Sequence, residues 1–232
     1  MKNRLVTLTL FSLSAILLTS PSFLSAQDSK AKWKPLFDGK TLNGWRTYQN
    51  KPANSWSVKE GLLSNKGNKD PATKHADLIT ESEFENFELS VNWKIAAQAN
   101  SGILYMVTEE FPSSYLSGPE YQLLDDRGYP EKLENWQITG ANYAMDPPLV
   151  DATKPAGEWN HTVIKVFKGH VEHWLNDKKV VAYELWTDTW KQHKAVGKWK
   201  DAKGYGASKK GHIALQDHGG EAWFKDIKIR EW

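Results

Sequence analysis

The sequence predicts an all-β protein, an antiparallel β-sandwich of jelly-roll type. Short apolar runs recur along the chain, most of them bounded by Gly, Asn, Asp or Pro. Several alternate apolar and polar residues with the period of a half-buried strand. No segment longer than a few turns repeats apolar residues at the 3.6-residue helical period, so helical crossovers between parallel strands are not expected.

The chain opens with Lys2 and Arg4 ahead of a mostly apolar stretch from Leu5 to Leu18, then a Pro and small residues up to Ala26. This is the pattern of a secretory signal peptide over residues 1–26, cleaved after Ala26. The apolar run is interrupted by Thr and Ser and falls short of the ~20 residues needed to cross a bilayer. The chain contains no cysteine, which excludes a lipidated cysteine, disulfides and Cys-bound metals. A periplasmic or secreted protein that is not a lipoprotein is therefore expected, with residues 27–232 forming a single jelly-roll catalytic domain and no membrane insertion after cleavage.

The clearest strand is "FELSVNWKI", in which Phe87, Leu89, Val91, Trp93 and Ile95 alternate with Glu88, Ser90, Asn92 and Lys94. "TESEFENF" before it and "YPEKLENW" further on read as short helical turns. Further strands follow at "GILYMV", "EYQLL", "HTVIKVF", "VEHWLN", "KVVAYEL", "HIAL" and "WFKDIKI". "LNDKKV" reads as a hairpin turn with Asn176 and Asp177 at its tight positions. "KQHKAVGKWKDAKGYGASKKG", rich in Lys and Gly, reads as a solvated loop. A formal net charge of +2, with both signs interspersed, gives no footprint for nucleic acid or a membrane surface.

Successive side chains on a strand point to opposite faces. Alternation places Tyr121 and Leu123 in the core and Glu120 and Gln122 on the opposite face. It places Ile103, Tyr105 and Val107 in the core, with Asn100, Gly102 and Met106 opposite. In "GHIALQDHGG", Ile213 and Leu215 face one way and His212, Ala214, Gln216 and His218 the other. Asn100, Glu120, Gln122, Gln216 and His218 thus form a candidate polar face. Asp217, just before the Gly-Gly turn, joins the binding candidates. The 12 tryptophans among 232 residues supply core area, and also flat faces on which the apolar C–H bonds of a sugar ring can stack.

His170 and His173 lie three apart on a strand, hence on opposite faces, and cannot chelate one ion together. The chain has no G-x-S-x-G, P-loop or HExxH motif, which argues against a serine hydrolase, an NTPase or a zincin. Acid–base chemistry without a covalent serine or cysteine intermediate fits the residues present. No cofactor is expected, although carboxylate oxygens leave a divalent cation open.

"WKPLFDGKTLNGW", "LITESEFENFELSVNWKI", "ANSGILY", "GPEYQLLDD", "KPAGEWNHTVIKV", "VEHWLN" and "GHIALQDHGGEAWFKDIKI" resemble, in order, the signatures of the 3-keto-disaccharide hydrolase family. The resemblance runs from about Trp33 to Trp232. It implies a concanavalin-like jelly roll in the periplasm or at the surface of glycan-degrading bacteria, acting on glycosides or disaccharides oxidised to a ketone at C3. Such a substrate calls for a base near C2, donors for the developing oxyanion and an acid for the leaving group. His218 suits proton transfer near neutrality, with Glu120 or Asp125 as partner acid or base. Gln122, Gln216 and Asn100 are candidates to hold hydroxyls or the enolate oxygen, and Trp159 or Tyr143 to stack on the ring. Family members usually carry arginine where this chain has Met106. The competing reading is a non-catalytic carbohydrate-binding module on the same sandwich, since fold does not fix function.

Overall fold

A computed structural model describes residues 31–67 and 70–232. The expected leader over residues 1–26 lies outside the described residues. Strands dominate the regular structure of the described chain. In chain order the strands are β1 (Lys34–Pro35), β2 (Trp45–Thr47), β3 (Trp56–Lys59), β4 (Leu62–Asn65), β5 (Leu78–Thr80), β6 (Phe87–Ile95) and β7 (Asn100–Val107). They continue with β8 (Glu120–Leu124), β9 (Asn160–Phe167), β10 (His170–Leu175), β11 (Lys178–Glu184), β12 (His212–Leu215) and β13 (Ala222–Glu231).

Two antiparallel sheets result. One has eight strands in the order β11-β10-β9-β6-β13-β4-β3, with β1 paired to β13; the other has five, in the order β2-β5-β12-β7-β8. Strands distant in sequence lie side by side, as a jelly roll requires. The core between the sheets takes Leu89, Val91 and Trp93 from β6, and Ile103, Tyr105, Tyr121, Leu123, Ile213 and Leu215 from the five-stranded sheet. Each of these side chains is fully buried or nearly so, and burying one of this size contributes about 1.5–3 kcal/mol. Asn176 and Asp177 join β10 to β11 at φ of 47° and 66°, the left-handed pair that a tight hairpin demands.

The strand alternation fails at one residue of β7. Met106 has φ of 55° and packs in the main core with Ile103 and Tyr105. Val107 instead joins Tyr48, Ile79, Leu104 and Ala214 in a small cluster on the other face of the sheet. The pairing of β12 with β7 shifts register at this point, since His212 opposes Val107 but Ala214 opposes Leu104. One extra residue on β7, a β-bulge, reverses the facing of everything beyond it. Met106 is therefore a core residue and does not reach the polar face on which alternation had placed it.

The lysine-rich segment is also more ordered than expected. It shares a helix, α1 (Asp188–Val196), in which Thr187 Oγ1 accepts from Trp190 N at 3.2 Å as N-cap. Trp190 is its one buried residue, so the helix has no apolar stripe for sequence periodicity to reveal. "YPEKLENW" ends in a 3₁₀ turn, Asn135–Gln137, whereas "TESEFENF" holds no helix, and its Phe84 forms a single bridge with Gly211. On β10, His173 is buried between Tyr105 Oη at 2.9 Å and the Gly140 carbonyl at 3.0 Å. His170 turns the other way, to Glu184 at 2.5 Å.

Candidate active site

The site lies on the face of the five-stranded sheet that points away from the main core. Strand β8 sends Glu120 and Gln122 to this face, and both are nevertheless buried, at 4% and 2% exposure. A roof explains it: Tyr115, Tyr143, Lys198 and Trp199 stand over the strand, and with Asn100, Glu120, Gln122, Gln216 and His218 they enclose a cavity of about 270 Å³. Residues Gln216 to His218 follow directly on β12, and Gln216 N donates to the Gly102 carbonyl at 2.9 Å. The Gln122 amide donates to Asn100 Oδ1 at 3.2 Å, fixing the two amides relative to each other.

Glu120 sits over a glycine. A Cβ placed on Gly102 would come within 2.3 Å of Glu120 Oε1, so any larger residue there would displace the carboxyl. Burial raises the Glu120 carboxyl from its reference of 4.5 to about 8, and the negative charge of Asp77 adds to the rise. The positive charge of Lys198 and a hydrogen bond from Gln216 oppose it only in part. A buried carboxyl that is mostly neutral at pH 7 but loses its proton near pH 8 is a strong base once ionised.

The roof is aromatic and cationic. Trp199 stacks on Tyr205 with ring centroids 4.3 Å apart and planes at 8°, while its Nε1 donates to the Tyr143 carbonyl at 3.0 Å. Lys198 Nζ lies 4.3 Å from the Tyr143 ring centroid and donates to its hydroxyl at 3.2 Å. Sequence reasoning placed Tyr143 in the site but missed Tyr115, Lys198 and Trp199. A tryptophan among lysines and glycines was the available signal, because a side chain so large is seldom left in solvent.

The structure brings together Asn100, Glu120, Gln122, Tyr143, Gln216 and His218. It does not bring Asp125, Asp217 or Trp159 into the same cavity. Asp125 accepts from Gln98 N at 2.8 Å and Gly128 N at 3.1 Å, closing the turn after β8. The Asp217 carboxylate is fully buried, bonded to His75 Nδ1 at 2.8 Å and Asn65 Nδ2 at 3.0 Å. Trp159 stands by the other sheet, with Lys225 of β13 and Lys94 of β6 at 4.2 and 5.2 Å from its ring centroid. His218 is exposed at the cavity mouth. Among the described residues no group of three or more His, Cys, Asp and Glu is arranged to hold a metal ion, and no helix is long and apolar enough to cross a membrane.

The chain matches the 3-keto-alpha-glucoside-1,2-lyase-like domain over residues 32–230. A curated 3-keto-disaccharide hydrolase of Bacteroides thetaiotaomicron is 34% identical over 222 residues, spanning 84% of this chain and 77% of that one. A crystal structure from Parabacteroides distasonis, of a protein provisionally named a glycosyl hydrolase, is 37% identical with a TM-score of 0.80, covering 86% of this chain and 94% of that one. The carbohydrate-binding module CBM66 of Bacillus subtilis, at 9% identity and TM-score 0.53, covers 81% of this chain and 96% of its own, and shares the fold alone. Because binding modules and glycosidases both use this sandwich, the family match decides between them. The chain belongs to the 3-keto-alpha-glucoside-1,2-lyase-like family and is a glycoside-cleaving enzyme.

Proposed function

We propose that the enzyme cleaves glycosides whose sugar carries a ketone at C3, by removing the proton at C2 and eliminating the aglycone. The observation that carries this reading is the buried Glu120 carboxyl, which shares the cavity with the Asn100 and Gln122 amides and Lys198, so that a base stands among donors able to meet a developing oxyanion. A single buried base of raised basicity suits C–H abstraction beside a ketone, which acidifies that hydrogen.

In the proposed sequence the Glu120 carboxylate takes the C2 proton, and the C–H electrons move into an enolate with the charge on the C3 oxygen. Lys198 and the Asn100 and Gln122 amides stabilise that oxygen. The enolate then collapses, restoring the ketone, forming a C1=C2 double bond and expelling the C1 oxygen, which takes a proton from His218. Water adds across the double bond, its hydroxyl to C1 and a proton to C2, so the net reaction is hydrolysis. Tyr143 and Tyr115 offer ring faces to the sugar.

The test is incubation in D₂O with a 3-keto-glucoside and, in parallel, its unoxidised parent, following released sugar and deuterium at C2 by early-time NMR against a control of product alone. Turnover confined to the keto substrate, with deuterium at C2, is expected. Equal cleavage of the parent glycoside, or product free of deuterium at C2, overturns the elimination route.

A further inference from the structure

The outer face of the eight-stranded sheet lies on the far side of the sandwich from the Glu120 cavity and carries four tryptophans, each met by cations. Lys225 and Lys94 Nζ lie 4.2 and 5.2 Å from the Trp159 ring centroid, and Lys94 is also 4.8 Å from that of Trp223. Lys165 and Lys179 stand 5.4 and 5.9 Å from Trp174, and Lys228 and Arg230 stand 5.1 and 4.9 Å from Trp33. Strand register puts them on one surface. Trp223 opposes Lys94, Lys225 opposes Asn92 and Lys228 opposes Ser90 across β13 and β6; Val163 of β9 then links Ser90 to Trp174 of β10. A sheet face left to water is ordinarily polar, yet none of these tryptophans is fully buried.

We propose that this face is a docking surface, separate from the catalytic cavity, for an acidic polysaccharide. The charge is available. Glu88, Glu172 and Asp226 share the face but are engaged, Glu88 by Arg230, Glu172 by Lys179 and Trp174 Nε1 at 2.9 and 2.8 Å, and Asp226 by the Asn92 amide at 2.9 Å. Lys94, Lys165, Lys225 and Lys228 make no ion pair among the described residues. An ammonium seated against an indole is also held in place before a ligand arrives, which lowers the ordering cost of binding. The surface thus alternates apolar ring area with fixed positive charge. A polymer of sugar rings bearing carboxylates or sulfates matches both, with C–H faces for the indoles and anions for the ammonium groups. A nucleic acid duplex or a lipid headgroup layer offers the anions but keeps its apolar faces inside, and leaves the indoles unmatched. None of these residues lines the Glu120 cavity, so polymer and substrate can be held together, and the proposal does not depend on the reaction assigned to that cavity.

The test follows binding of the enzyme to dextran sulfate, uncharged dextran, a DNA duplex and phosphatidylglycerol vesicles at about 0.15 M salt, where exposed charges are screened beyond about 8 Å. Dextran sulfate should bind at least tenfold more tightly than the other three. Lys94→Gln/Lys225→Gln should lose at least tenfold of that affinity while turning over a soluble substrate as wild type does. Lys191→Gln/Lys200→Gln, on and after α1, should keep the affinity. Trp159→Ala, which leaves every charge in place, should lose at least threefold. Affinity that survives the Lys94/Lys225 change, or falls as far in the Lys191/Lys200 pair, overturns the surface, as does competition between dextran sulfate and substrate. Equally tight binding of uncharged dextran, DNA or vesicles, or full affinity in a folded Trp159→Ala, overturns the acidic polysaccharide as its occupant. Equal melting temperatures for wild type and the Lys94/Lys225 variant keep the result free of folding defects.

Discussion

Replacing Glu120 by Gln should make the enzyme both slower and more stable, and the size of the second effect follows from burial. The folded protein holds the Glu120 proton to about pH 8, whereas an unperturbed glutamate releases it near 4.5. Between those values the native state binds more protons than the unfolded chain, so stability falls as pH rises. At about 1.4 kcal/mol per pH unit, the cost reaches roughly 3 kcal/mol at pH 7 and levels off near 5 kcal/mol above pH 8. Glutamine has nearly the same shape, keeps its place over Gly102 and does not titrate. Glu120→Gln should therefore melt higher than wild type by about 6–12 °C at pH 7, more at pH 9 and hardly at all at pH 5, at 2–4 °C per kcal/mol for a domain of this size. Its turnover should drop by about 10²–10⁴, the range for removing a positioned acid or base. Thermal melts of both proteins at the three pH values, with turnover from the same preparations, provide the check. A melting gap that is the same at every pH, or a variant less stable than wild type at pH 9, would refute the reasoning.

Gly102→Ala pushes a methyl group against Glu120 Oε1, and should cost about 1–3 kcal/mol through overpacking while lowering turnover at least as much as KM changes; circular dichroism melts and steady-state kinetics on one sample measure both. His218→Ala should lower kcat by about 10²–10⁴ and leave the melt nearly unchanged, because the ring is exposed; full activity in a folded variant would remove His218 from the mechanism. Trp159→Ala should leave turnover intact, since its ring lies against lysines of the opposite sheet, and a loss of kcat/KM with an unchanged melt would place Trp159 back among the substrate contacts.

The fold and half of the site were legible because alternation is a local rule. It sorted Tyr121 and Leu123 from Glu120 and Gln122, and Ile213 and Leu215 from Ala214, with no knowledge of strand order. It broke at Met106, where one left-handed residue shifted the phase and no local signal marked the bulge. The roof was illegible for a different reason. Lys198 and Trp199 come from a loop after α1 and reach the site through tertiary packing on Tyr143 and Tyr205, which no periodicity encodes. Trp159 lies apart from this cavity, beside Lys94 and Lys225: tryptophans suit sugar rings and lysine stems equally well, and composition cannot say which is the neighbour. Asp217 lies in the same turn as Gln216 and His218 but lines a neighbouring cavity, its carboxylate bonded to His75 and Asn65.

That turn has a mechanical consequence. Asn65 belongs to β4 of the eight-stranded sheet, yet its side chain grips Asp217 and the Gly220 carbonyl and accepts from Ala222 N. The segment carrying Gln216 and His218 is thereby stitched to the opposite sheet, and the two layers cannot slip at this edge without dragging that wall of the cavity. A substitution at Asn65, which does not line the cavity, should register in catalysis as a blurring of substrate choice.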